Sequence, residues 1–352
     1  MAALCSGCPA VIGRIFQTCF ENNEASTAFL RAHGVLPSTV QCPSCGKDCI
    51  YRKDKHLWRC NGSTVIPKTK KRRRCNYTIS DYHGSFLERV KLQPWQIVIF
   101  VYYWVQKTFK HSIVLRNVQI SLETSVDWRS FCSEVCEHWF NNQEAIGGDS
   151  VVVEIDETLV VRKKYNKGRD LIQTWLFGGI ERTSKKSFVV PLLDPLSNEI
   201  QKRNKATLVP LIKKYIKPGS IIISDCWSAY VSLTEEGYTH YSVNHSEHFV
   251  DPHHPEVHTQ NIERYWRDIK EWVKRPGIRS CYLRQYLARY LFLKQAGDQE
   301  MHCFFKEAAK LYPPLQASQA SFAPSSPRPG TSSGAVAAPP VISSDDSDSD
   351  EY

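Results

Sequence analysis

The sequence has no apolar run near the roughly 18 residues that a membrane span needs, and its most apolar stretch, residues 95–105, is short and rich in aromatics. That absence predicts a soluble chain with no membrane partner. The opening residues, Met1-Ala-Ala-Leu-Cys-Ser-Gly-Cys8, also lack the basic start and apolar block of a secretory leader, which predicts a chain kept inside the cell. The 13 cysteines are then read as core thiols and metal ligands rather than a disulfide framework. Matches to the glycosylation pattern at Asn61, Asn76 and Asn244 lose their meaning in the same setting. No internal repeat is present.

Charge is uneven along the chain. The formal net charge is +9, yet residues 313–352 carry one arginine against five acids, a net −4, which leaves +13 on the rest. Such a surplus suits a polyanion such as nucleic acid, although an ordinary basic surface reads the same way. The segment 313–352 is built of Pro, Ser, Ala, Gly and acids and cannot bury enough apolar surface to fold, so a disordered acidic tail is expected there.

The remaining chain divides into four regions. Residues 1–38 form a helical lead-in, with Ile12, Ile15, Phe16, Cys19 and Phe20 at helical spacing; 39–83 are dense in cysteine and basic residues; 84–149 are helical, with helices predicted over 95–107 and 122–140. Residues 150–312 alternate. Strands are predicted over 151–157, 174–181, 187–193, 220–224 and 239–245, and helices over 206–216, 227–233 and 260–274. This order is that of an α/β, RNase H-like fold, a mixed sheet flanked by helices.

Two aspartates end two of these apolar strands, Asp156 in Val151-Val-Val-Glu-Ile-Asp156 and Asp225 in Ile221-Ile-Ile-Ser-Asp225. Like charges brought together at buried strand ends raise each other's pKa unless a cation neutralises them. Glu263 lies on the helix whose Ile262, Tyr265, Trp266 and Ile269 form an apolar stripe. Three carboxylates from two strands and a helix can hold two Mg²⁺ (or Mn²⁺) ions for an in-line phosphoryl displacement. Taken singly, the aspartates also read as turn residues and Glu263 as a helix charge paired with Arg267 or Lys270.

Peptides recur in order from Val153 to Lys270: Glu154-Ile-Asp156-Glu-Thr, Arg162-Lys-Lys-Tyr-Asn-Lys-Gly-Arg169, Trp175-Leu-Phe-Gly-Gly-Ile-Glu-Arg182, Ser224-Asp225-Cys-Trp-Ser-Ala-Tyr230, Val243-Asn-His245, Phe249-Val-Asp-Pro252 and His258-Thr-Gln-Asn-Ile-Glu263. Together they closely resemble the Merlin group of eukaryotic DDE transposases and their bacterial insertion-sequence relatives. The resemblance implies that Asp156, Asp225 and Glu263 are the metal ligands, that water first cuts a transposon end, and that the freed 3′-hydroxyl then attacks target DNA. It also implies a dimer or larger assembly, since two ends must be joined. Lys163, Lys164, Lys167 and Arg169 follow the first acidic strand and are either phosphate contacts or a solvated hairpin. His258 is either a phosphate contact or a helix-capping residue.

Cys42-Pro-Ser-Cys45, Cys60 and Cys75 suit a structural Zn²⁺ in a small zinc-ribbon-like module, with Cys49 and His56 as further candidates and Cys5-x-x-Cys8 read as a non-ligand pair. The stretch Lys68-Thr-Lys-Lys-Arg-Arg-Arg74 places Lys68, Lys70, Lys71, Arg72, Arg73 and Arg74 in one run, a nuclear import signal, a set of phosphate contacts, or both. The helical region is read either as a helix-turn-helix that reads the transposon end or as a packing linker. The function expected is a nuclear cut-and-paste transposase acting on double-stranded DNA. The alternatives are a domesticated, silent relative and an RNase H-like nuclease.

Overall fold

The computed structural model describes residues 12–65, 72–106, 109–160, 174–194, 199–225, 228–243, 257–273 and 282–314. The predicted acidic tail, the Cys5/Cys8 pair, Lys68, Lys70, Lys71, Lys163, Lys164, Lys167 and Arg169 lie outside them.

Two short helices lead in. Helix α1 (Ile12–Cys19) buries Ile15 and Cys19, and α2 (Asn23–Ala32) begins where the Asn22 side chain accepts a bond from the Ala25 amide. Next comes the cysteine-rich module. Its first knuckle turns at Gly46, whose φ of 68° suits glycine, with the Gly46 amide donating to the Cys42 carbonyl at 2.8 Å. Strands β1 (Ile50–Arg52) and β2 (Leu57–Arg59) follow; β3 (Ser63–Val65) and β4 (Arg72–Arg74) form a separate antiparallel hairpin; β5 (Thr78–Ser80) returns to pair with β2.

The module has its own buried cluster, Val40, Cys42, Cys49, Trp58, Cys60 and Cys75. Four of those six are cysteines, so apolar burial alone is a weak reason for it to fold. It docks on α2 through Arg31. That guanidinium lies 2.7 Å from the Asp81 carboxylate, stacks over Tyr51 at 4.4 Å and Trp58 at 5.4 Å, and Trp58 Nε1 donates to the other Asp81 oxygen at 2.8 Å.

The helical region holds three helices rather than the two expected: α3 (Pro94–Val105), α4 (His111–Val118) and α5 (Leu122–Asn141). At eight residues α4 is too short to show a clear period. Helix α3 is buried on nearly every side, and α5 buries Trp128, Cys132, Val135, Cys136 and Phe140.

The remaining elements are β6 (Val152–Leu159), β7 (Trp175–Glu181), β8 (Ser187–Pro191), α6 (Lys205–Tyr215), β9 (Ile221–Asp225), a 3-10 helix (Ser228–Thr234) where an α-helix was expected, β10 (Thr239–Val243), α7 (Gln260–Val273), α8 (Leu283–Ala296) and α9 (Glu300–Leu311). The five strands form one mixed sheet in the order β10-β9-β6-β7-β8; β6, β7 and β8 are antiparallel, while β9 and β10 run parallel to β6. One contiguous apolar cluster joins α1 to α5, strands β6 to β9, and α6 to α9. Among the described residues no helix is long and apolar enough to cross a membrane.

Asp81 is fully buried, so removing its guanidinium partner strands a charge. Arg31→Met is expected to lower stability by about 3 kcal/mol, read from the denaturant midpoint. A change below about 0.5 kcal/mol, the size of an exposed pair, would contradict the docking role.

Candidate functional site

Alternation along β6 sorts its acids between two faces. Glu154 and Asp156 share one face, paired across to Ile180 and Gly178 of β7, while Glu157 takes the other, opposite Phe177. The parallel register Val152↔Ile221, Val153↔Ile222 and Glu154↔Ile223, carried on, brings Asp156 level with Asp225. Carboxylate oxygens of Asp156, Glu157 and Asp225 all lie within 4.8 Å of one another. Glu263 stands outside that group. It sits exposed in the first turn of α7, oriented by the Thr259 hydroxyl at 3.0 Å, and is near enough to act electrostatically on Asp156.

What places α7 over these acids is Glu154, a residue quoted in the sequence reading but given no role there. It is fully buried. Its Oε2 accepts the backbone amides of Asn261 at 2.8 Å and Ile262 at 3.0 Å; its Oε1 accepts Asn261 Nδ2 at 2.7 Å and Arg182 Nε at 2.9 Å. A helix begins with unpaired amides and a partial positive charge, and here a strand supplies the anion that meets both. Arg182 also donates to the His258 carbonyl at 2.9 Å, and the His258 ring lies 3.7 Å from Glu154. The structure thus sets His258 at the entry to α7, beside the anchor.

Trp266 completes the join, donating from Nε1 to Asp156 Oδ2 at 2.9 Å. Gly178 makes room for that indole: a Cβ there would lie 2.6 Å from the Trp266 ring. On the other face the fully buried Tyr230 hydroxyl donates to Glu157, and Arg203, stacked on Trp175 at 4.1 Å, acts electrostatically on Glu157.

Burial, opposed by a backbone hydrogen bond and reinforced by Asp225, pushes the Asp156 carboxyl up to about 6. Burial likewise pushes Glu157 up to about 7, against the Tyr230 bond and with Asp156 and Asp225 adding repulsion. A site of this kind resists ionisation until a cation enters. Its oxygens are hard ligands that suit a divalent ion.

A second group lies in the cysteine module. The sulfurs of Cys42, Cys45, Cys60 and Cys75 lie within 4.8 Å of one another, with Cys42 to Cys75 at 3.4 Å and Cys45 to Cys60 at 3.3 Å; all four thiols are free of disulfides. Tetrahedral zinc, with Zn–S of about 2.3 Å, places sulfurs roughly 3.8 Å apart, so the group is compatible with it. Cys49 and His56 stand outside it. Arg72, Arg73 and Arg74 are exposed on β4.

These observations define a mixed α/β domain whose acidic site lies where β9 ends beside the middle of β6; Asp156, expected at a strand end, is the fifth of the eight residues of β6, which runs on to Leu159. Within the chain, residues 147–293 match the family of ISXO2-like transposase domains, a span holding the whole sheet and α7. An uncharacterized transposase-like protein of Haemophilus influenzae is 31% identical over 83 residues, 23% of this chain and 65% of that protein. The male abnormal protein mab-31 of Caenorhabditis elegans is 24% identical over 224 residues, 59% of this chain and 50% of that protein. The aligned parts thus span between 50% and 65% of these relatives' lengths. The likenesses support a transposase-related function.

Glu154→Ala would leave two helix amides without their acceptor and remove the carboxylate partner of Arg182, at a cost of about 3–5 kcal/mol in the denaturant midpoint; a loss under about 1 kcal/mol would refute the anchor. In metal-free protein the raised carboxyls of Asp156 and Glu157 hold protons that the unfolded chain has released. Their contribution to stability is therefore present at low pH and is lost between roughly pH 4 and 7. Urea midpoints with a chelator should show this fall, reduced in the Asp156→Asn, Glu157→Gln double variant and offset by Mg²⁺ increasingly as pH rises. An identical pH profile in the double variant would contradict it.

Proposed function

We propose that this chain is a DDE transposase of the Merlin group whose RNase H-like domain cuts and joins DNA at Asp156, Asp225 and Glu263. One observation carries the reading: two aspartates held level on adjacent parallel strands inside the span that matches a transposase domain. The strand order, with three antiparallel strands followed by two parallel ones on the far side of β6, supports the fold assignment.

Asp156 and Asp225, with Glu263 from α7, would hold two Mg²⁺ or Mn²⁺ ions; the fit rests on clustered, half-buried oxygens whose mutual repulsion a cation relieves. When bound, such ions polarise the phosphoryl oxygen and neutralise charge on the leaving oxygen of an in-line displacement. The protein's own part is orientation. Glu154 sets the start of α7, Trp266 fixes one oxygen of Asp156, and Thr259 fixes one oxygen of Glu263. Cys42, Cys45, Cys60 and Cys75 would hold Zn²⁺ and close a zinc-ribbon-like module that the helical region joins to the sheet.

The partner is double-stranded DNA, transposon ends and target alike. Lys68, Lys70, Lys71, Arg72, Arg73, Arg74, Lys163, Lys164, Lys167 and Arg169 are the proposed phosphate contacts, and the run ending in Arg74 is the proposed nuclear import signal. Joining two ends calls for two or more copies of the chain. A second reading, a transposase-derived host protein, is favoured by the likeness to mab-31, which is named a male abnormal protein and not a transposase.

The test is cleavage of duplex DNA bearing the inverted repeats that flank the coding sequence, in Mg²⁺ or Mn²⁺. Asp225→Asn is expected to lose about a thousandfold in rate, the equivalent of several kcal/mol of transition-state stabilisation, while still binding the DNA. Equal cleavage by variant and parent would sink the assignment; binding without cleavage by the parent would favour the host-protein reading.

A further inference from the structure

None of the described side chains of β3 and β4 is buried. Arg72, Arg73, Arg74 and Ser63 are exposed, and Val65, paired with Arg72, is 56% exposed. Two strands of three residues bury too little to hold themselves together. What fixes this pair is its base. The Cys75 amide donates to the Gly62 carbonyl at 2.8 Å and the Gly62 amide to Cys60 Sγ at 3.2 Å. A Cβ on Gly62 would come within 2.8 Å of Cys45 Sγ, so only glycine lets the chain pass this close to the sulfurs. The two strands therefore leave from Cys60 and Cys75, half of the four-sulfur group.

Side chains alternate along a strand, so Arg72 and Arg74 occupy one face of the hairpin and Arg73 the other. Guanidinium groups on both faces of a thin element can all pair with one polyanion only where its anions stand on both sides of that element. An acidic protein surface offers anions on one side. A groove of duplex DNA offers a wall of phosphates on each, and the major groove, about 12 Å wide, admits a two-stranded ribbon.

We infer that β3–β4 is an arginine ribbon that enters the major groove of duplex DNA, and that the four-cysteine group clamps its base, so that DNA capture depends on the metal held there. This rests on the reading of the chain as a DNA-acting protein and gives it a capture element separate from the acids. Removal of the metal frees Cys60 and Cys75 from each other, and the ribbon loses the geometry that presents its guanidinium groups.

The experiment uses the full chain and its Arg72→Ala, Arg73→Ala, Arg74→Ala triple variant, with affinity for a short mixed-sequence duplex read by fluorescence anisotropy across a salt series. Three lost phosphate contacts predict that the slope of log affinity against log salt becomes shallower by about 2.7. The arginine-dependent loss should be smaller on a single strand of the same length, which has no groove. A zinc-selective chelator should weaken DNA binding by the parent chain more than binding by the triple variant, which keeps only Lys68, Lys70 and Lys71 of the basic run.

An unchanged slope overturns the ribbon, an equal loss on single-stranded DNA overturns groove entry, and a chelator-induced loss as large in the triple variant as in the parent chain overturns the clamp. The transposase reading fails separately: Asp225→Asn that cleaves like the parent removes it and leaves the binding result standing, whereas normal binding by the triple variant removes the ribbon alone.

Discussion

A buried anion, Glu154, holds the acidic site together. It spends its charge on two backbone amides, an asparagine and an arginine, none of them a metal. Because it lies two residues before Asp156 on the same face of β6, whatever it grips is held at a fixed distance from Asp156. What it grips is the start of α7, which carries Glu263 and Trp266. A neutral residue there would leave the helix amides unpaired, and a shift of α7 would carry Glu263 away from both aspartates. The short spacing from Glu154 to Asp156 is thus a geometric link between sheet and helix.

The same local logic explains why the site is poised rather than stable. Asp156, Glu157 and Asp225 are gathered where burial raises the carboxyls of Asp156 and Glu157, and the hydrogen bonds from Trp266 and Tyr230 only partly oppose it. The cysteine module shows the other form of this economy. Its core is largely thiols, and the Arg31–Asp81 pair ties it to α2. In both places the polypeptide leaves a defined deficit, of positive charge in one and of apolar contact in the other, that a metal ion of the matching chemistry would offset.

Much of this could be read from residues alone. The five strands of the sheet were foreseen within a residue or two at most ends, because buried β-branched runs bounded by turn residues leave few alternatives. The elements that escaped were short or helically ambiguous: α4 has eight residues, and the segment after β9 is a 3-10 helix. Acids expected at strand ends single out Asp156 and Asp225, although β6 runs three residues past Asp156, and pass over Glu154 and Glu157 in the same peptide as Asp156. A signal was available for Glu154, since a charge inside the apolar run Val151-Val-Val-Glu-Ile must find partners once buried. Its donors lie 28 and 107 residues away, and no local pattern announces them. Tyr230 and Gly178 belong to the same class, meaningful only once β6, β7 and α7 are in contact.

The central claim is that Asp156 and Asp225 form one divalent-cation site. Binding of Mn²⁺ to the chain, with its cysteine module kept intact, followed by water-proton relaxation, addresses it without reference to any DNA substrate. Saturable binding by the parent chain, lost in both Asp156→Asn and Asp225→Asn with their folded signatures intact, is the predicted result. The same Mn²⁺ binding in all three proteins would contradict the account.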